Sequence, residues 1–171
     1  MVQYLEEELA LLFRRPVRQL SAITVPPASY DPNRRQCLST EILKTILATA
    51  PAEEAVKILG ITEVDLFIPI FTYVFGEAQL GGRAAVISLA RLKPEYSEEP
   101  PDEERYKLRA LKEAVHELGH TFGLTHCAAN GCVMTFANNL IQVDMKDYRF
   151  CPSCAELINV SPRHSSGSNS L

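Results

Sequence analysis

The segment His116-Glu117-Leu118-Gly119-His120-Thr121-Phe122-Gly123-Leu124-Thr125-His126 leaves this chain little freedom in what it can build. On a helix, His116 and His120 stand four residues apart, so both imidazoles project from one face about one turn apart and can share an ion. Glu117 is rotated by about 100° from His116. It sits badly for the same ligand set and well for a water on the metal, which is the place of a proton acceptor. Gly123 can take the left-handed conformation that ends a helix, turning the chain back so that His126 approaches the ion from another side. Three neutral imidazoles leave the fourth position of a tetrahedral zinc open for water, as hydrolytic sites require. A bare His-Glu-x-x-His occurs in helices of many unrelated proteins. Here the glycine and the third histidine fall at the required offsets, and three of the four histidines lie in this segment.

Four of the five cysteines form two short pairs, Cys127-x4-Cys132 and Cys151-x2-Cys154, at the spacing of knuckles around one tetrahedral ion. Four thiolates close the coordination sphere, so the expected role is structural. Cys127 directly follows His126, and Cys132 comes two residues before Met134. One ion would then fix both the third histidine and the methionine segment relative to the C-terminal part. The alternatives are two disulfides or four unrelated thiols. Disulfides fit poorly, because Met1 to Glu8 is acidic where a secretory signal is basic, and cytosolic thiols stay reduced. Cys37 reads as a small buried hydrophobe.

The pattern HExxHxxGxxH followed by a methionine resembles the metzincin metallopeptidases. Cys127, Cys132, Met134 and Cys151-Pro152-Ser153-Cys154, in that order, make the stretch from His116 to Cys154 similar to the archaemetzincin signature. Tyr30-Asp31-Pro32 with Arg34 and Gln36, the run Val74 to Ala78, and the run Gly82 to Leu92 resemble that family too. The resemblance implies a zinc metalloprotease with two ions per chain: a catalytic zinc on His116, His120 and His126 with Glu117 as general base, and a structural zinc on Cys127, Cys132, Cys151 and Cys154. Met134 would be the Met-turn methionine beneath the histidines. Some metzincin branches place a metal- or intermediate-binding tyrosine two residues after that methionine; Phe136 stands there in this chain, so no oxyanion help comes from that side chain. Tyr148 is expected to be structural. Gln36-Cys37-Leu38 does not match the cysteine motif with which some metzincin zymogens block their zinc. The stretch from Tyr73 to Ala78 would be an antiparallel edge strand to which a substrate peptide adds by main-chain hydrogen bonds, although the residues alone fit a plain hairpin strand equally well.

A length of 171 residues with 46% hydrophobic content suits one ordinary domain. The formal charge of -4 argues against nucleic acid, which requires a basic face. No apolar run approaches the ~18 residues of a membrane span. A cytoplasmic protein is expected, with a monomer as the default. Residues 1–160 read as the peptidase domain without a propeptide-like extension, and Ser161 to Leu171, with His164, as a disordered polar tail.

The expected fold class is α/β: a single compact metzincin-like domain with a twisted mixed sheet, an antiparallel edge strand, an active-site helix and a zinc-stapled C-terminal segment. Strands are expected at Val17 to Ile23, Val64 to Ile70, Tyr73 to Phe75 and Ala84 to Ala90, with Gly81-Gly82 turning between the last two. Ser39 is expected to cap a helix reaching about Ala50, with Ile42, Leu43, Ile46 and Leu47 as its apolar face. A long helix should follow Pro100-Pro101-Asp102, its stripe Leu108, Leu111, Val115, Leu118 and Phe122 facing the sheet while His116 and His120 overlook a cleft. These expectations converge on a zinc-dependent hydrolase of peptide or protein substrates, acting as an aminopeptidase or an endopeptidase. The rivals are a zinc-stabilised binding module with weak or no proteolysis, and a hydrolase of some non-peptide amide.

Overall fold

The computed structural model describes residues 1–49 and 55–159. Along them run α1 (Val2–Phe13), β1 (Tyr30–Asp31), β2 (Gln36–Leu38), α2 (Ser39–Thr49), β3 (Ile58–Thr62), β4 (Leu66–Phe67), β5 (Gly76–Ala78), β6 (Ala84–Ser88), α3 (Glu103–Thr121), α4 (Leu140–Met145) and α5 (Pro152–Ile158). The end of α2 expected near Ala50 and the tail from Ser161 to Leu171 with His164 lie outside the described residues.

Two small mixed sheets form, in the orders β1-β2-β4 and β3-β6-β5. In the second, β6 pairs parallel with β3 and antiparallel with β5, which leaves β5 at an edge. All five residues of β6 are buried, because α3 packs on one face and α2 on the other and a strand covered twice needs no polar side. Ala84 and Val86 join Ile42, Leu43 and Ile46 of α2 in one apolar cluster, while Ile87 joins Leu111, Val115 and Leu118 of α3 in the other. That division follows the two-residue period of a strand.

Asp102 caps α3 by accepting the Arg105 N–H at 3.0 Å, and Glu103 and Glu104 lie in its first turn, where the helix dipole favours acids. The apolar stripe holds from Leu111 to Leu118 but not at Leu108, which is 36% exposed. Beside that stripe, charged side chains of α3 fasten the chain at the end of α4. The Arg109 guanidinium pairs with both Asp144 oxygens at 2.8 and 2.6 Å, and Lys112 donates to the Val143 and Asp144 carbonyls at 3.0 and 2.9 Å. The N-terminal helix α1 buries Leu5, Leu9 and Phe13, and Phe13 stacks on Phe122 at 5.6 Å between centroids.

Several expected elements change. Val17 to Ile23 forms no strand: Val17, Leu20 and Ile23 stand exposed, so no face of the segment is buried. The strand expected from Val64 to Ile70 shrinks to Leu66–Phe67, since Pro69 brings no N–H for a ladder and stands in a turn. Tyr73 to Phe75 contributes only a bridge from Val74 to Leu66, and the edge strand begins at Gly76. The strand expected to reach Ala90 ends at Ser88. Ser39 does not cap α2 from outside; it is the first residue of the helix, and its hydroxyl meets the Glu77 carboxylate and the Phe67 carbonyl.

Candidate active site

Helix α3 carries His116 and His120 one turn apart, and the chain then reverses. Gly123 has φ +94°, and its N–H donates to the His120 carbonyl at 2.9 Å while the Leu124 N–H donates to that of Gly119 at 3.1 Å. This turn does two things at once. It carries His126 back toward the helix, and it presents the Leu124 carbonyl to His120 Nδ1 at 2.7 Å. His116 Nδ1 meets the Val133 carbonyl at 2.8 Å. Each of those carbonyls accepts a hydrogen bond from Nδ1–H, which leaves Nε2 with the free lone pair, and such partners fix the tautomer of ligating histidines. The two Nε2 atoms lie 3.1 Å apart, close to the roughly 3.3 Å expected between two nitrogens of a tetrahedral zinc. One donor atom from each of His116, His120 and His126 falls within 4.8 Å of the other two.

Burial pushes all three imidazoles to lower pKa, most strongly His116, and the Lys146 charge acts in the same direction. This shift favours the neutral form that a metal ligand needs. Glu117 is 6% exposed; burial raises its pKa well above the usual range, the neighbouring Glu113 adds to this, and Lys146 opposes it. On its other side the backbone of Gly76 comes so near that a Cβ there would stand 2.6 Å from Glu117 Cγ. Only glycine lets strand and helix approach this closely.

A cleft of about 380 Å³ opens above these residues, between β5 and the loop that carries Phe136, Ala137 and Asn138. The phase of β5 is fixed by two hydrogen bonds, from Ser88 N–H to the Phe75 carbonyl and from Gln79 N–H to the Ala84 carbonyl. Residues 75, 77 and 79 therefore turn their main-chain groups toward β6. Those of Gly76 and Ala78 point outward, along the cleft. Phe71 and Phe136, at 40% and 44% exposure, give the opening an aromatic wall, and the Phe136 ring lies 5.1 Å from that of His126.

The second cluster joins the loop after His126 to the start of α5. Cys127, Cys132, Cys151 and Cys154 bring their sulfurs within 4.8 Å of one another, all but Cys127 buried. Cys127 and Cys151 Sγ stand 3.9 Å apart, against about 3.8 Å for two sulfurs on a tetrahedral zinc. None of the four forms a disulfide. The Ala129 and Cys151 N–H groups point at Cys127 and Cys132 Sγ, each at 3.4 Å. Burial raises the pKa of Cys132 and Cys154; Cys151 is lowered against its own burial by the Cys154 N–H and the neighbouring thiols. The clusters are connected: the Cys127 N–H donates to the Met134 carbonyl at 2.9 Å, and Met134, fully buried, lies against Gly119, where a Cβ would stand 2.5 Å from its sulfur. Both donor sets suit zinc in element, number and spacing.

All seven residues expected to hold metal thus fall into two groups, with Glu117 beside the first. Tyr148 does not line the cleft. Cys37 is buried in β2 among Ile42, Leu43 and Leu66. Phe71 and Lys146 carry no signal in the sequence, Gly76 stands there only as part of the run Val74 to Ala78, and Glu113 carries a visible one, one turn before Glu117 on the same helix.

Residues 41–160 match peptidase family M54. The chain is 48% identical over 135 residues to archaemetzincin from Methanocaldococcus jannaschii, covering 79% of this chain and 73% of that protein. It is 40% identical over 158 residues to archaemetzincin from Archaeoglobus fulgidus, covering 92% and 90%. The crystal structure of archaemetzincin from Methanopyrus kandleri superposes with a TM-score of 0.83 at 38% identity, over 92% of this chain and 83% of that one. That of the A. fulgidus protein, complexed with malonate, gives 0.79 at 40% identity, over 91% and 90%.

Proposed function

This chain belongs to peptidase family M54, the archaemetzincins, and is a zinc metallopeptidase; from that premise we propose that it cleaves peptide bonds at His116, His120 and His126, with Glu117 as general base. The observation that carries the assignment is the convergence of three imidazoles at the floor of a cleft whose one wall is a strand edge. Zinc bound there would supply an acidified water, its pKa lowered to about 7, and a polarised substrate carbonyl. Glu117 takes the proton of the attacking water and returns it to the departing amine. The Gly76 and Ala78 main-chain groups hold the substrate backbone in extended form, and Phe71 and Phe136 receive an apolar side chain. Cys127, Cys132, Cys151 and Cys154 hold a second zinc, closed and structural, giving two ions per chain. Among the described residues no helix is long and apolar enough to cross a membrane.

Digestion of a peptide library tests the reading, run with the zinc-loaded protein, with chelator, and with zinc restored. Cleavage in the first and third conditions only is expected. The products also separate loss of N-terminal residues from internal cuts. A fully loaded protein that cleaves no peptide would overturn the proposal in favour of a binding module or of hydrolysis at another amide.

A further inference from the structure

Two buried charges beside Glu117 have no part in the hydrolysis described above. Glu113 lies one turn before Glu117 on α3 and lines the same cleft. Lys146 directly follows α4. Its Nζ stands 2.8 Å from Glu113 Oε1, with the two side chains 2% and 4% exposed. The approach is off the line that a hydrogen bond requires, and neither atom has a hydrogen-bond partner. Burying such a pair is unfavourable enough that apolar residues of similar volume are often as stable or more stable in its place. It is not required as a fastener either, because Arg109 and Lys112 already hold Val143 and Asp144 through four contacts. Location, rather than stability, accounts for the pair. Among the described residues no hydrogen bond or ion pair holds the Glu117 carboxylate. It is confined by the Gly76 backbone on one side and faces the charge of Glu113 on the other.

We propose that Glu113 and Lys146 are a positioning pair for Glu117, an inference that rests on reading Glu117 as the proton acceptor. The Glu113 carboxylate repels that of Glu117 along the helix, toward the imidazole nitrogens. Lys146 ties Glu113 back, so only one of two carboxylates a single turn apart is free to act at the ion. A released Glu113 would add a negative donor to the cation site. A released Lys146 would add a positive charge beside it.

The test combines steady-state kinetics on a cleaved peptide, melting temperature, and the metal affinity of the histidine site read with cobalt(II), whose spectrum on imidazoles differs from that on thiolates. Lys146→Met should tighten cobalt binding and Glu113→Gln should weaken it, each by roughly tenfold through the uncompensated charge. The double variant Glu113→Leu with Lys146→Met should regain near-parental affinity and melting temperature, yet lose about 10- to 100-fold in kcat with KM within about twofold. A double variant with parental kcat would overturn the proposal, as would single variants that shift affinity in the same direction. If a single variant fails to fold, the double variant decides alone. Glu117→Gln, run in parallel, separates the two readings: parental turnover there removes the base itself and not merely its positioning.

Discussion

The two clusters of candidate metal ligands are assembled in opposite ways. The histidines come from consecutive turns of α3 and the turn behind it, all within 116–126, and their accessibility rises from His116, 5% exposed, to the exposed His126. The cysteines are drawn from a loop and from the cap and first turn of a seven-residue helix, and three of the four are buried. Helix α3 has its own core against β6 and α1, so the histidine group sits on a scaffold with apolar packing of its own. The segment from Cys127 to Cys154 sends Val133, Met134, Val143 and Phe150 into that same core, but it holds little regular structure, and main-chain bonds such as Val133 N–H to the Arg149 carbonyl at 3.0 Å and Asp147 N–H to that of Gly131 at 3.0 Å join its two halves. The difference teaches that one group sits on a single helix and its turn, whereas the other gathers chain segments about twenty residues apart; in the proposed reading the first is positioned by the fold and the second positions part of it.

That contrast breaks first at Glu117. Glu117→Gln removes a proton acceptor but no ligand and no hydrogen bond, so turnover should fall by about 100- to 10,000-fold while zinc content and melting temperature stay near the parent values. Kinetics, elemental analysis and a thermal melt on the same preparation check this; an unchanged rate would remove Glu117 as the base.

A smaller effect is expected at Gly76. In Gly76→Ala the new Cβ would stand 2.6 Å from Glu117 Cγ and 2.7 Å from the Val86 carbonyl oxygen. The carbonyl belongs to the central strand and yields little, so Glu117 or the edge strand must shift, and a misplacement near 1 Å can lower the rate by about 100-fold. Both zinc ions should remain. Loss of the cysteine-bound metal in this variant would mean that the two regions are not independent.

The sequence disclosed the site far better than the frame around it. Side chains that share an ion must stand at fixed offsets, so His116, Glu117, His120 and His126 were legible as a unit, and the two cysteine pairs likewise. The start of α3 after Pro100-Pro101-Asp102 and the left-handed turn at Gly123 were legible for the same local reason. Strand edges were not. Ile58–Thr62, paired in full register with Ala84–Ser88, contains Gly60 and shows no alternation, and its stability comes from a partner more than twenty residues away in sequence. Val17 to Ile23 shows the converse, an expected strand that finds no strand to pair with. Glu113 and Lys146 meet only because α4 folds back along α3, which no local pattern announces.

The central claim is a division of labour between an open imidazole site and a closed thiolate site, and a chelator titration that follows metal release, activity and melting temperature together tests it most directly. A chelator can enter the histidine sphere through the position left for water, whereas four thiolates leave no such opening. The first ion released should abolish activity with the melting temperature little changed; the second should lower the melting temperature, because structural zinc binding is coupled to folding. Cys151→Ser, as the control, should begin at the lower melting temperature and release only the first ion. Activity that outlasts the first ion, or a melting temperature that collapses with it, would contradict the account.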